Sequence, residues 1–142
     1  MQPTERFSDR AAVYTRGRPT YPDAIVAHLR DAGALPECAV VVDLGVGTGL
    51  SSEPFLRAGC SVIGVEPNAP MRAVGDERLA RYGRYRSVDG SAEETTLAPG
   101  CAHLVIAGQA FHWFDPARAG AEARRILVPG GHAALVWNDR PA

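Results

Sequence analysis

Several features that would assign a sequence to a particular protein class are absent here. All 15 basic residues are arginine, and the formal net charge of −1 provides no field that would attract nucleic acid or an anionic membrane. The three cysteines (Cys38, Cys60 and Cys101) include no C-x-x-C pair, so neither a disulfide framework nor a zinc site is predicted. No apolar run approaches the roughly 18 residues of a membrane span, and residues 1–10 lack the apolar core of a signal peptide. We therefore expect a cytoplasmic domain with no nucleic-acid and no membrane partner.

The remaining composition is typical of one globular domain: 142 residues, of which 46% are hydrophobic and 22% are charged. Short apolar runs alternate with segments of helical character, and Asn68 and Asp115 stand where they can cap the helices that follow them. This alternation is typical of parallel strands that are joined by right-handed crossovers. The sequence therefore predicts an α/β domain with a doubly wound, mostly parallel sheet and helices on both faces. The predicted strands are 38–44, 61–66, 85–88, 103–107 and 132–138.

A glycine-rich turn follows the first predicted strand. Gly45, Gly47 and Gly49 allow the backbone to turn sharply and to approach a ligand without interference from a Cβ atom. The dinucleotide fingerprint G-x-G-x-x-G would need a third glycine at the position of Leu50, so the spacing argues against it. The observed form is instead D-x-G-x-G-x-G, which includes Asp43, and no Gly-Lys-Ser/Thr follows as in a phosphate-binding P-loop. The turn thus indicates a nucleotide-like ligand other than a dinucleotide.

The second predicted strand ends in an acidic residue, Glu66. A carboxylate at this position can accept hydrogen bonds from both hydroxyls of a ribose, and it would repel a 2′-phosphate. The alternative is that Glu66 only caps the strand end and is solvated. The glycine turn upstream favours the ribose interpretation.

Five stretches in this order resemble class I S-adenosylmethionine-dependent methyltransferases, in particular the small-molecule group called methyltransferase type 11. They are AVYTRGRPTYP at 12–22, VDLGVGTG at 42–49, VIGVEPN at 62–68, DGSAEETTL at 89–97 and the run from His103 to Asn138. The resemblance implies one domain over residues 1–142, with residues 1–35 as an N-terminal cap segment and helix. It also implies S-adenosylmethionine as cofactor, S-adenosylhomocysteine as its product and a small molecule as the methyl acceptor.

The resemblance carries residue roles onto the glycine turn and the second strand. The turn glycines match positions whose backbone contacts the methionine end of the cofactor. Asp43 matches the acid that orients the turn and the amino group of the cofactor, and Glu66 matches the ligand of the ribose diol. Pro67 and Met71 match positions that pack on the adenine ring, which suits a rigid ring and a polarizable thioether. For Met71, ordinary core packing is the alternative.

A third matching segment resembles the G-D-A-E motif of the family, whose aspartate contacts the adenine amino group. Here Ser91 occupies the position of that aspartate. The resemblance therefore implies that the backbone of Ala92, or the neighbouring acid Glu93, makes the contact in its place.

Two further segments match positions near the reactive methyl group. Tyr14 and Arg18 match a cap over the cofactor, where the Arg18 guanidinium either pairs with the cofactor carboxylate or is a solvated surface charge. Gln109 and His112 follow the fourth predicted strand, in a segment that flanks the cofactor. His112 is the candidate general base, and the alternative is that it forms an aromatic wall together with Trp113.

The resemblance also implies a sheet of seven strands in the order 3-2-1-4-5-7-6, of which this sequence supplies five. We expect a Rossmann-like sheet in the order 3-2-1-4-5, with strands 6 and 7 missing. The fifth strand, His132 to Asn138, would then be an exposed apolar edge, which we expect to be covered by a homo-oligomer or a partner chain. Two functions stay open: an active small-molecule methyltransferase, or a non-catalytic cofactor-binding remnant or subunit that needs a partner chain to complete the fold.

Overall fold

The computed structural model describes residues 12–17, 24–107 and 114–138, with the backbone alone described at 12–17 and 136–138. These residues form one six-stranded sheet in which every pair of neighbouring strands is parallel. Its spatial order is β1-β6-β5-β2-β3-β4, so β4-β3-β2-β5-β6 reproduces the predicted order 3-2-1-4-5. The strands are β1 (Ala12–Gly17), β2 (Val40–Leu44), β3 (Ser61–Val65), β4 (Tyr85–Val88), β5 (Ala102–Ala107) and β6 (Leu127–Asn138).

Four described helices connect the strands: α1 (Ala24–Asp31), α2 (Glu53–Arg57), α3 (Ala69–Leu79) and α4 (Pro116–Ile126). The predicted caps are confirmed. The side chain of Asn68 accepts a hydrogen bond from the backbone N–H of Met71 at 2.9 Å. The side chain of Asp115 accepts from the N–H groups of the second and third residues of α4. A 3₁₀ turn over Ala80–Tyr82 extends α3 towards β4.

The apolar core has two layers because the sheet is covered on both faces. On one face, buried residues of α1, α2 and α3 pack against Val41, Val62 and Leu104. On the other face, α4 packs against a second set of strand residues that includes Val42 and Val105. Adjacent residues of each strand thus point to opposite layers, which explains why the strands are continuously apolar. No helix in the described ranges has the length and the apolar character needed to cross a membrane.

The expectation of an exposed edge at His132 to Asn138 was wrong. The backbone of β1 pairs in parallel with β6 from Ala12 beside Ala133 to Gly17 beside Asn138. The segment that was interpreted as part of a cap contributes a strand at this position, and association through the β6 edge loses its structural basis. Valine, tyrosine and threonine follow one another in the sequence of β1, and these residue types favour strands.

Strand β6 is also longer than predicted, since it begins at Leu127 rather than at His132. Its pairing with β5 is irregular between Ala102 and Leu104. At this irregularity Nδ1 of His103 accepts a hydrogen bond from the backbone N–H of Val40 at 2.9 Å. The side chain of His103 therefore supplies a structural acceptor at the amino-terminal edge of the sheet, the edge opposite the glycine turn.

Candidate functional site

The glycine turn lies between β2 and α2, at the carboxyl edge of the parallel sheet. Gly45, Gly47 and Gly49 all have positive φ angles, of 65°, 59° and 91°, which L side chains rarely adopt. The backbone N–H groups of Gly45 and Val46 donate to the carbonyl oxygen of Val65 at 2.8 and 3.1 Å. The turn is thereby fixed to the end of β3, so the predicted glycines and the second predicted strand come together as expected.

The turn also packs closely against α3. A Cβ atom at Gly49 would stand 2.6 Å from Cδ1 of Leu79, and a Cβ atom at Gly75 would stand 3.4 Å from the carbonyl oxygen of Gly47. These distances leave no room for a side chain at Gly49 without displacement of Leu79. The glycines therefore serve the packing of the protein as well as access by a ligand.

Glu66 lies directly after β3 and holds the turn through its carboxylate. Its Oε1 accepts from the N–H of Gly47 at 2.8 Å, and its Oε2 accepts from the N–H of Asn68 at 3.1 Å. The residue is only 8% exposed, so it is not a solvated strand end. Each carboxylate oxygen can still accept a further hydrogen bond, because it has a second lone pair.

Asp43 is the second acid of the site and is completely buried at the carboxyl end of β2. Its Oδ2 accepts from the hydroxyls of Ser51 and Ser52 at 2.6 and 2.7 Å, which fixes the chain that leads into α2. Burial raises the pKa of Asp43 from 3.8 to about 6, against the opposing effect of the two serine hydrogen bonds, and the charge of Glu66 raises it further. The other carboxylate oxygen, Oδ1, has no hydrogen-bond partner in the part of the chain that the structure describes.

Apolar side chains are exposed beside the turn. Leu50, Met71 and Val74 are 38%, 43% and 52% exposed. The Met71 methyl group, Cε, lies 4.0 Å from the position that a Cβ of Gly47 would take. Core packing therefore does not account for Met71, and its contact with the adenine ring stays a prediction. Pro67 is exposed in the short connection between β3 and α3.

The loop after β4 is adjacent to Glu66, whose N–H donates to the carbonyl of Val88 at 3.1 Å. Within this loop Ala92 is buried, and the Ser91 hydroxyl accepts from the N–H of Glu94 at 3.1 Å. The carboxylate of Glu93 accepts from the N–H of Asp115 at 2.7 Å, which ties the loop to the start of α4. The contact of this loop with adenine stays a prediction.

A second attachment of the loop was not predicted. Oε2 of Glu122, on α4, accepts from the N–H and the hydroxyl of Thr95 at 2.9 and 2.6 Å. The Arg125 guanidinium binds Glu122 and donates to the carbonyl of Leu97 at 2.7 Å. The pKa of Glu122 is lowered to about 2, mainly by the hydrogen bond from Arg125 and to a smaller extent by those from Thr95. Partial burial acts in the opposite direction and raises this pKa.

The remaining predicted site residues lie outside this geometry. For Tyr14, the structure gives the backbone, which pairs with Leu135 in the sheet. Arg18, Gln109 and His112 lie outside the described residues, as does Trp113. Their predicted roles stay predictions. Sequence reasoning overlooked Ser51 and Ser52, although two serines between a glycine turn and a helix are a recognisable start signal.

Comparison with known proteins identifies the family. Residues 42–135 match the model of a family described as "Methyltransferase domain". The chain belongs to this methyltransferase family. The matched range begins before the glycine turn and ends within β6, so it includes Asp43, Glu66 and the loop after β4.

Relatives of this methyltransferase domain agree with that assignment. An uncharacterized methyltransferase of Mycobacterium tuberculosis is 38% identical over 134 residues, which are 94% of this chain and 52% of that protein. A structure from Anaeromyxobacter dehalogenans, assigned as a Type II methyltransferase, has a TM-score of 0.71 at 31% identity, over 84% of this chain and 49% of that one. A SAM-dependent methyltransferase from Aquifex aeolicus shares the fold, with a TM-score of 0.68 at 16% identity, over 77% of this chain and 61% of that one. The domain spans about half the length of the curated relatives it matches.

Proposed function

We propose that this methyltransferase domain binds S-adenosylmethionine at the glycine turn and transfers its methyl group to a small-molecule acceptor. The observation that carries the proposal is the Glu66 carboxylate, which holds the N–H groups of Gly47 and Asn68 and keeps a lone pair free on each oxygen. The fold neighbour from Aquifex aeolicus, described as SAM-dependent, supports the choice of cofactor.

The residues of the site fit this cofactor in three respects. Gly45 and Gly47 have no Cβ atom, so ligand atoms can approach the backbone of the turn there, whereas the corresponding space at Gly49 is filled by Leu79. The carboxylate of Glu66 suits a ribose diol, which offers two donors. Met71 and Pro67 offer exposed apolar surface beside the turn for an aromatic ring.

The same contacts disfavour a dinucleotide. A pyrophosphate at a glycine turn needs backbone N–H donors and a region free of negative charge. Here the N–H of Gly47 already donates to Glu66, and Asp43 adds a second acid at the neighbouring strand end. Two carboxylates suit a ligand with a positive charge and repel a pyrophosphate.

S-adenosylmethionine, when bound, supplies an electrophilic methyl group on a positively charged sulfur atom. The contribution of the chain is to bind, to orient and to exclude water. Asp43 and the serines fix the start of α2, Glu66 fixes the turn, and the buried side chain of Val46 closes the turn against the sheet. His112 is proposed to accept a proton from the acceptor nucleophile where that nucleophile must lose one.

The experiment compares the same Glu→Gln substitution at a buried and at an exposed position. Glu66→Gln replaces a carboxylate oxygen by an NH₂ group that faces a backbone N–H, whereas Glu77→Gln changes an exposed glutamate on α3. Calorimetric titration with S-adenosylhomocysteine is expected to show about tenfold or greater loss of affinity for Glu66→Gln, from one disrupted charged hydrogen bond. Glu77→Gln is expected to stay within about twofold of the wild type.

Equal affinity of Glu66→Gln and wild type would contradict the ribose role of Glu66. Transfer of a labelled methyl group to a panel of small-molecule acceptors then separates an active enzyme from the alternative, a non-catalytic cofactor-binding subunit. His112→Gln is expected to lower kcat without a change in cofactor affinity if His112 acts as a base.

A further inference from the structure

The hydroxyl of Tyr85, on β4, is buried beneath the glycine turn without a hydrogen-bond partner among the residues described. Oδ1 of Asp43 is also buried, and it too has no hydrogen-bond partner among the described residues. Buried polar atoms are nearly always hydrogen-bonded, and one unpaired atom costs about 1–3 kcal/mol. A tyrosine hydroxyl donates and a carboxylate oxygen accepts, so the two atoms are complementary.

The register of the sheet places both side chains on one face. Asp43 is paired with Gly64, and Val62, two residues before Gly64, is paired with Tyr85. Positions two apart on a strand share a face, and so do paired positions on parallel neighbours. Tyr85 and Asp43 therefore flank Gly64 on the same side of the sheet.

The absence of a side chain at Gly64 provides the space between them. A Cβ atom at Gly64 would collide with the hydroxyl oxygen of Tyr85 and would stand 2.7 Å from Cγ1 of Val46. The Tyr85 ring therefore runs along the face of the sheet until its hydroxyl reaches Gly64, the partner of Asp43. Val46, a residue of the glycine turn, approaches the same point, so the hydroxyl lies directly below the turn.

The charges around the two groups agree with this arrangement. Burial raises the pKa of Tyr85, and the charges of Asp43, Asp76 and Glu66 raise it further, so the hydroxyl stays protonated and remains a donor. The other carboxylate oxygen of Asp43 is occupied by two serine hydroxyls, which leaves Oδ1 as the acceptor.

We propose that Tyr85 is a positioning residue for the cofactor site, whose hydroxyl donates to a buried hydrogen-bonded link that ends on Oδ1 of Asp43. One water molecule that accepts from the Tyr85 hydroxyl and donates to Oδ1 would close the link. Asp43 is then held from the sheet by Tyr85 and from α2 by the serines, and the turn between them keeps one conformation. The effect of this link on cofactor affinity rests on the proposed function, whereas the link itself does not.

The first test needs no ligand. Tyr85→Phe removes one hydroxyl, and the titration of the Asp43 carboxyl is followed by ¹³C NMR. Loss of a donor to the ionised carboxylate is expected to move its midpoint to higher pH. Tyr82→Phe is the matched control, because the hydroxyl of the half-buried Tyr82 donates to Glu53 at 2.7 Å rather than to Asp43, so this variant should leave the Asp43 midpoint unchanged. An unchanged midpoint in Tyr85→Phe would overturn the proposal.

The second test measures affinity for S-adenosylhomocysteine. Tyr85→Phe is expected to bind about tenfold more weakly, the equivalent of one lost hydrogen bond, and Tyr82→Phe about as well as the wild type. Equal binding by Tyr85→Phe would overturn the positioning role. A shifted midpoint in a protein whose wild type binds no S-adenosylhomocysteine would support the link and reject the proposed function.

If Tyr85→Phe does not fold, the wild type answers the same question. The hydroxyl proton of Tyr85 is expected as an exchange-protected NMR resonance whose shift follows the titration of Asp43. A hydroxyl proton that exchanges rapidly with water, or that ignores this titration, would overturn the proposal.

Discussion

At the scale of single residues, two carboxylates at the ends of neighbouring strands bind donors of different kinds. Glu66 accepts from backbone N–H groups, which can only donate, whereas Asp43 accepts from serine hydroxyls, which can reorient and can either donate or accept. Because Asp43 is completely buried, its ionisation has a larger effect on folding than that of an exposed acid. The free energy of unfolding should therefore depend on whether Asp43 is ionised.

Asp43 is expected to make stability depend on pH in a defined direction. Its pKa is raised from 3.8 to about 6, so the folded state holds this proton more tightly than the unfolded state. The stability that it contributes is complete below about pH 4 and is lost as the pH rises through about 6. The loss amounts to about 3 kcal/mol for a shift of this size.

The measurement is the free energy of unfolding in urea for wild type and Asp43→Asn between pH 4 and pH 8. The advantage of wild type over the variant should fall across the range from pH 4 to about 6 and then stay constant. A difference that does not change with pH would show that Asp43 has an ordinary pKa.

At the scale of elements, the helix starts could be predicted and the attachments between elements could not. Asn68 and Asp115 could be recognised as helix caps from the sequence, because the side chain of a cap accepts from backbone N–H groups only two or three positions away. Glu122 binds Thr95 across 27 sequence positions, and Glu93 binds Asp115 across 22. Such pairs depend on how α4 packs against the loop after β4, which no local pattern encodes.

Loss of the Glu122 carboxylate is expected to release this loop. Glu122→Gln should lower the free energy of unfolding by about 1–3 kcal/mol at pH 7 and increase hydrogen exchange at the N–H of Thr95. The pKa of Glu122 is lowered from 4.5 to about 2, so its contribution is present above about pH 4.5 and is lost as the pH falls towards 2.

Glu94→Gln is the matched control, since Glu94 is an exposed glutamate in the same loop. Its free energy of unfolding should remain within about 0.5 kcal/mol of wild type. Equal protection of the Thr95 N–H in wild type and Glu122→Gln would show that α4 does not hold the loop.

At the scale of the whole molecule, the doubly wound parallel sheet could be predicted from alternating apolar runs and helical segments, because parallel strands and right-handed crossovers leave few topologies. The order of its five strands followed only from the resemblance to methyltransferases, and the structure confirms it. The position of β1 could not, since a strand of six residues beside β6 depends on which edge is free once the sheet has formed. The proposed link between Tyr85 and Asp43 could not be predicted from the sequence either, because it depends on the register of three strands. The glycine turn and Glu66 could be predicted because both follow directly from spacing along the chain.

The central claim is that the glycine turn and Glu66 form a site for S-adenosylmethionine rather than for a dinucleotide. The most direct test is a calorimetric titration of the wild-type chain with S-adenosylhomocysteine and, separately, with NAD. We expect saturable binding of S-adenosylhomocysteine and no detectable heat of binding for NAD, because the Gly47 N–H is engaged by Glu66 and the site carries two acids. Binding of NAD, or of neither compound, would contradict the claim.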